Sequence, residues 1–268
     1  MSNFKIERVM KEVTQLPSNF GFYPKNTKIW FYPMTTKEVE LLNDSNLDSK
    51  KLFENNLANI KTEGINPEEL TFSDFIFISL QRRLYSQTEI LCTLNSTCPK
   101  CGKRIIEEFN FSEIEFENPK DARLQSCELG DYEVVMGPIT IGSMLKMLDS
   151  EEGISAIDTY AHCIREIKQK PKDESLLDNF INGFKKEKTQ EEIANEFLLA
   201  REIIANTWGE ERLVLNYIDS LQDHGIKPKK VVCSNCKEAW EEDLGGADAL
   251  IFPSDRIGDN IRNKVHAC

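Results

Sequence analysis

Only three histidines occur in 268 residues, and the familiar catalytic signatures are missing with them. There is no GxSxG, HExxH, P-loop or GxGxxG, so nucleophile-elbow hydrolases, zincins and the common nucleotide folds find no support. His162, His224 and His266 are scattered. His162 lies beside an apolar helical stripe and reads as a packed or half-exposed helix residue; His224 lies at a helix end, where a cation suits the dipole. No stretch of eighteen apolar residues is present, which excludes a membrane-spanning helix. The opening MSNFKIERVMKEV lacks the apolar core and cleavage site of a signal peptide, so the chain is expected to fold in a reducing cytoplasm. Positive charge is short as well: 33 Lys and Arg stand against 45 Asp and Glu, a formal charge of -12. Such a field repels phosphate backbones and disfavours nucleic acid as a general partner. The small IKPKK patch at Ile226 to Lys230 reads as solvated loop, and the acidic clusters read as solvated faces. Nothing here describes an enzyme.

What is present fits a soluble globular chain. Apolar residues make up 40% and charged residues 29%, and the length suffices for one large domain or two modest ones. Lys28 to Tyr32 predicts a strand that Pro33 ends. Thr35 and Glu38 have capping-box spacing, so a helix starts there and buries Val39 and Leu42. Leu52, Phe53, Leu57 and Ile60 predict a second helix. Thr71 is the N-cap of a third, with Asp74 placed to reach back, and Phe72 to Leu84 is apolar on nearly all sides, as a central buried helix would be. Arg82 and Arg83 on that helix read either as surface or salt-bridged residues or as a partner-facing basic spot near the first cysteine pair.

Beyond it, Ile90, Cys92 and Leu94 alternate, as does EFNF after Gly102, which predicts a hairpin with CPKCGK at its tip. Tyr132 to Pro138 reads as another strand. From Thr140 the pattern turns helical. One stripe runs through Ile154, Ile157, Tyr160, Ile164 and Ile167, another through Ile193, Phe197, Ala200, Ile204 and Trp208, and a third through Leu213 or Val214, Tyr217, Ile218 and Leu221. Lys168 to Ser175 is the best linker, Thr189 caps the helix after a charged connector, and Gly225 and Pro228 close the helical part. KVV and EAWEEDL flank a second cysteine pair with strands, and PSDRIGDNIRNKV predicts a last helix. The expected fold is α+β: a small β unit with a two-knuckle, four-cysteine zinc site, and a mostly helical insert between the knuckles. Its parts are an N-terminal α+β part with the first hairpin (1–138), a helical part (139–225), and a second hairpin with the C-terminal helix packing back on the first (226–268).

Cysteine is the one chemically pointed residue in plentiful supply, with eight copies. In a reducing compartment two CxxC pairs favour metal over disulfides. Cys98, Cys101, Cys233 and Cys236 are the candidate ligands. Each pair can aim two sulfurs at one ion from a tight turn, and Gly102 permits the backbone conformation such a knuckle needs. Four thiolates leave no open coordination position, so the expected role of a Zn2+ ion, one per chain, is structural. Loop-closure entropy grows slowly with length, so the long interval between the pairs is tolerable. Three alternatives stay open: four buried thiols without metal, a redox CxxC, which needs a helix N-terminus after its first cysteine, and an iron–sulfur cluster. Cys92, Cys127, Cys163 and Cys268 have no partner at ligand spacing and read as core or terminal residues.

The order LPSNFGFYP, MTTKEVELL, FIFISLQRRLYS and CPKCGK, followed by VLNYIDSL, VVCSNC and DLGGADALIF, resembles the baseplate hub protein family of T4-like contractile-tailed phages. The resemblance covers most of the chain and implies a non-enzymatic tail component, built into the hub or needed for its assembly. Cys98 and Cys101 match the family's first pair, and Cys233 and Cys236 the second. Lys237 stands where a glycine is expected. The implied partners are other phage tail proteins (hub, tail tube or tape-measure protein) within a multi-subunit complex. The implied location is the virion tail baseplate, with the host cytoplasm during assembly. A hub assembly chaperone absent from the mature virion is the nearest alternative. A zinc-ribbon nucleic-acid module is another: Lys100, Lys103 and Arg104 give the first knuckle a basic tip, opposed by Glu238, Glu241 and Glu242 at the second. A thiol oxidoreductase is the third.

Overall fold

A computed structural model describes residues 8–42, 48–86, 91–119, 122–149, 155–170, 189–207, 215, 216, 218, 225–242 and 244. The predicted C-terminal helix, His224, His266, Ile90, Ile154, Trp208, Leu213, Val214, Tyr217, Leu221 and Cys268 lie outside the described residues, as do the side chains of Leu42 and Cys92.

The N-terminal unit wraps one helix. Strands β1 (Lys11–Glu12), β2 (Lys28–Phe31) and β3 (Ile60–Glu63) form an antiparallel sheet in the order β1-β2-β3, with helices α1 (Thr36–Leu42) and α2 (Ser49–Leu57) between the last two. Ile60, expected to continue the second helix, instead opens β3 opposite Phe31, and it is buried there all the same. Helix α3 (Phe72–Leu84) is the centre of this unit, with Phe75, Ile76, Ile78 and Leu80 buried. Each such side chain is worth roughly 1.5–3 kcal/mol relative to exposure. Leu16, Ile29, Phe31, Leu52 and Phe53 complete the cluster around it.

Two polar networks set α3 in place. Thr71 caps it as expected, accepting from the Asp74 N–H. The Asp74 carboxylate does not reach back to the cap: it accepts from the Ser18 N–H (3.1 Å), the Ser18 hydroxyl (2.5 Å) and the Tyr23 hydroxyl (2.6 Å). This anchors the LPSNFGFYP loop to the helix start. At the other end, Arg82 is 1% exposed and bonds Glu38 (2.6 Å), the Tyr32 carbonyl (2.8 Å) and Asn56. Arg82 and Arg83 are therefore buried residues, not a partner-facing basic spot.

Next comes a long hairpin, β4 (Leu91–Thr97) and β5 (Arg104–Asn110), with the first CxxC at its tip. The insert that follows is not wholly helical. Strands β6 (Gln125–Leu129), β7 (Tyr132–Met136) and β8 (Ile164–Gln169) make an antiparallel sheet in the order β6-β7-β8, against which α4 (Ile141–Leu148), α5 (Ala156–Cys163) and α6 (Gln190–Asn206) pack. The stripe through Ile157, Tyr160, Ile164 and Ile167 is helical only as far as Cys163; Ile164 turns to an extended conformation (ψ 128°). A bulge explains the disguise. Ile164 pairs with Met136, Glu166 with Val135 and Ile167 with Val134, so four residues on β8 face three on β7, and the irregularity lies between Val135 and Met136. A bulged strand can thus keep residues three apart on one face, which imitates helical spacing. Lys168 and Gln169 of the expected linker belong to this strand, and the Lys170 ammonium bonds Glu128 and the Gly130 carbonyl.

The units are stitched by backbone bonds. Phe72 donates to the Ile139 carbonyl and Ile141 to that of Leu70, both at 2.9 Å, while Tyr23, Phe72 and Met144 pack against both cores. Strands β9 (Lys229–Val232) and β10 (Ala239–Glu242) form the second hairpin. Its approach is tied to the exit of the first, because Glu117 donates to the Gly225 carbonyl (2.8 Å) and Lys227 to that of Glu115 (2.9 Å). The architecture is α+β, and among the described residues no helix is long and apolar enough to cross a membrane.

Glu38 shows how the buried polar sites titrate. Burial raises its carboxyl, but the Thr35 N–H and hydroxyl and the Arg82 guanidinium outweigh that and hold it below its usual 4.5. A depressed carboxyl stabilises the fold above the unfolded value and loses that contribution as pH falls through the folded one. Glu38→Gln leaves the Arg82 charge buried without its anion, and should cost about 3–5 kcal/mol in urea unfolding near neutrality. The stability lost on acidification below pH 4.5 should be smaller in the variant than in the parent.

Candidate metal centre

The two knuckles are copies of one local design. Cys98 donates its N–H to the Lys103 carbonyl (2.9 Å), and Gly102 donates back to the Cys98 carbonyl (3.0 Å). At the equivalent positions of the second turn, Cys233 donates to Glu238 (2.8 Å) and Lys237 donates back to Cys233 (3.0 Å). The flanking strands close in the same register, Thr97 opposite Arg104 and Val232 opposite Ala239. Each turn needs a left-handed residue just after its second cysteine. Gly102 supplies φ 69°, and Lys237 takes φ 61° without the freedom of a glycine. The departure from glycine therefore leaves the turn intact and adds strain.

Across the interface the four sulfurs converge. Cys98 Sγ lies 3.6 Å from Cys236 Sγ, and Cys101 Sγ lies 3.6 Å from Cys233 Sγ, so both contacts join one knuckle to the other. All four lie within 4.8 Å of one another and could hold a metal ion. The contacts are too long for disulfides. They match the roughly 3.8 Å sulfur separation of a tetrahedron with metal–sulfur bonds of about 2.3 Å. Cys98 and Cys233 are buried, Cys236 half-buried and Cys101 exposed.

Electrostatics set the chemistry of this cluster. The Lys103 N–H and the Asn235 amide, against the cost of burial, bring the Cys101 thiol down to about 6. The Cys233 thiol is lowered by the Cys236 and Asn235 N–H groups. At Cys236 the Glu238 N–H pulls down, but burial and the neighbouring sulfurs outweigh it and push the thiol up to about 12. Four thiols this close cannot all ionise on hydrogen bonds alone, because each thiolate opposes loss of the next proton. A divalent cation removes that obstacle.

The surroundings lock the two hairpins together. Lys100 pairs with Glu238 at 3.0 Å, Lys103 donates to the Ser234 hydroxyl at 3.1 Å, and Lys229 lies 3.5 Å from Glu107 and 4.6 Å above the Phe109 ring. Ser96 bonds Glu242, and Arg104 is held by Asn95 at 2.7 Å. The basic tip of the first knuckle is thus used internally, mostly against the second. Both CxxC turns run into strands rather than helices, so the helix N-terminus that a redox CxxC relies on is missing at each.

Sequence spacing located all four sulfurs but not their supports. Asn235, whose amide lies 3.6 Å from Cys101 Sγ, sits inside the second CxxC and could have been singled out as a donor. The pairs involving Glu107, Glu238 and Glu242 carry no local signal, since each depends on a residue of the other hairpin. Of the other cysteines, Cys127 is half-buried with its thiol pushed up to about 11 by burial, and Cys163 is buried with its Sγ 3.4 Å from the Thr159 carbonyl. His162 is stacked on Phe197 at 4.4 Å, a packed helix residue as its sequence setting implies.

Residues 10–205 match a family model described as T4 bacteriophage base plate protein. The matched span includes Cys98 and Cys101 and ends before Cys233 and Cys236. No curated protein and no solved structure matches the chain.

The left-handed positions offer a matched pair of tests. A Cβ at Gly102 would meet nothing within 4 Å, so Gly102→Ala isolates backbone strain and should lower stability by about 1 kcal/mol. Lys237→Gly relieves strain of the same kind and should leave the melting temperature unchanged or raised, in calorimetry of the metal-loaded chain.

Proposed function

The chain belongs to the T4 bacteriophage base plate protein family, and from that premise we propose that it is a non-enzymatic subunit of a contractile-tail baseplate hub, stapled by a structural zinc ion on Cys98, Cys101, Cys233 and Cys236. The family is one of structural phage-tail proteins, which accounts for the coarser part of this reading. Placement in the hub is supported by the order of segments from LPSNFGFYP through CPKCGK to VVCSNC. The zinc staple is carried by one observation: four sulfurs from two hairpins meet within 4.8 Å of one another, two of the cross-knuckle pairs at 3.6 Å. Sulfurs 3.6 Å apart stand near van der Waals contact, which leaves space for a single ion and not for a multi-iron cluster. A thiolate set with all four positions filled by protein offers no site for water or substrate, so zinc here shapes the chain and transforms nothing. The Lys103, Asn235 and Glu238 donors around the sulfurs would spread the thiolate charge, as outer-shell groups do in structural zinc sites.

The partners that follow are other tail proteins: hub, tail tube or tape-measure. A scaffold of this kind needs rigid faces in fixed relation, and the knuckle contact supplies that by fastening a segment 132 positions downstream to the first hairpin.

Metal analysis of the purified chain should find one zinc per chain, lost in Cys98→Ser, Cys101→Ser, Cys233→Ser and Cys236→Ser alike. Loss should expose residues 229–242 to protease while the α3 unit stays protected, since the metal can contribute on the order of 10 kcal/mol to closing the knuckles. Zinc retained in any two of the variants would overturn the ligand set. Native mass spectrometry of purified tails should find the chain in them; its absence from finished tails would favour the assembly chaperone instead.

A further inference from the structure

Helices α4, α5 and α6 and strand β8 enclose a cavity of about 530 Å³ that the metal centre does not involve. Its floor is apolar, with Met147, Ile164, Ile193, Phe197 and Ala200. Its charges are unequally committed. Asp158 holds Arg201 at 2.7 Å, and Glu166 holds Lys168 at 3.4 Å; Glu196, the remaining carboxylate on the wall, has a contact of its own. Arg165 and Lys146 also line the cavity, and neither has a carboxylate at ion-pair distance among the described residues.

Arg165 is the informative one. Two of its five donors reach backbone carbonyls, those of Pro138 and His162. Burial lowers its guanidinium, with Cys163, Tyr23 and Glu69 acting in the other direction. A half-buried cation whose bonded partners are neutral carbonyls keeps donors free for a carboxylate, which would offset part of its desolvation. His162 reports the same field from within the cavity: burial, and then Lys146, hold its imidazole down at about 4, with Arg165 adding to the effect against Asp158. The ring is stacked on Phe197 at 4.4 Å, and Lys146 and Arg165 line the same cavity.

We propose that this cavity binds an acidic segment of a partner protein, seating one carboxylate against Arg165 and Lys146 and an apolar neighbour on the Phe197 floor. A protein fits better than a small acid because the apolar surface continues past the rim. Ile157 on α5 is 39% exposed and Leu198 on α6 is 58% exposed, the first four residues before Ala161 and the second four after Ala194, both on the cavity wall. That the carboxylate comes from a protein rests on the baseplate reading; the chemistry of the cavity does not.

The test uses the full chain with labelled histidine, titrated in parallel with 3-phenylpropionate, its neutral amide, and a short capped peptide of alternating Glu and Leu, while the His162 imidazole is followed by NMR. Saturable shifts are expected from the acid and the peptide and not from the amide, with the peptide at least about tenfold tighter than the acid. Lys146→Glu, at an exposed position, should weaken the peptide by about tenfold or more, and Arg165→Gln should abolish binding if it retains the parent's circular dichroism. Binding of the amide as well as the acid, an unchanged affinity in Lys146→Glu, or no shift with either anion would overturn the site. Tight binding of phenylpropionate with none of the peptide would overturn the protein partner. Zinc content should be the same in Lys146→Glu and the parent, so failure here is separable from failure of the metal reading.

Discussion

Two segments 132 positions apart are brought together so that four sulfurs lie within 4.8 Å of one another, and much of the structure is arranged to allow that meeting. Closing a loop of such length costs little more than closing a moderate one, because the entropy grows only with the logarithm of length. The larger obstacle is electrostatic. Thiolates this close oppose each other's ionisation, and at Cys236 burial and the neighbouring sulfurs outweigh the Glu238 N–H and push the thiol up. The fold answers the first problem with backbone bonds between 115–117 and 225–227, which deliver the second hairpin to the first before any sulfur is involved. Ion pairs across the knuckles, such as Lys100 with Glu238, refine the approach and contribute little each at exposed positions.

The same logic of distant polar anchors runs through the rest of the chain. Asp74 holds the loop around Ser18 and Tyr23 against the start of α3, and Glu38 with Arg82 holds α1 against its end. Both anchors join residues far apart in the chain, 56 positions for Ser18 with Asp74 and 44 for Glu38 with Arg82. They make the α3 unit a single rigid body, and the bonds between 70–72 and 139–141 carry that rigidity into the β6-β7-β8 sheet. The cavity beside α6 is lined by Lys146 and Arg165, neither with a carboxylate at ion-pair distance among the described residues.

Legibility in the sequence followed the range of the interactions. Caps at Thr35, Thr71 and Thr189 were plain because a cap is made within four residues. The hairpins around both cysteine pairs were plain because alternation and tight turns are local. Ile164 and Ile167 misled because a bulge reproduces helical spacing, and only pairing with Val134 and Met136 tells the two apart. Arg82 was ambiguous for a related reason: its burial depends on Glu38 and Asn56, far away along the chain. Lys237 stands at the opposite extreme, since its identity argued against the knuckle and its φ of 61° shows the turn formed regardless.

The amino-acid order by itself determined the α+β character, the helix starts, the two knuckles as local turns, and four cysteines as the residues with chemistry to offer. Each of these arises from contacts among near neighbours, whose energies a short window contains. Tertiary structure alone decided that the sulfurs converge, that Lys100 and Lys103 at the tip of one knuckle meet Glu238 and Ser234 on the other, and that the half-buried Arg165 bonds backbone carbonyls with no carboxylate at ion-pair distance among the described residues. Those outcomes depend on which surfaces are removed from water together, and no local window holds both partners.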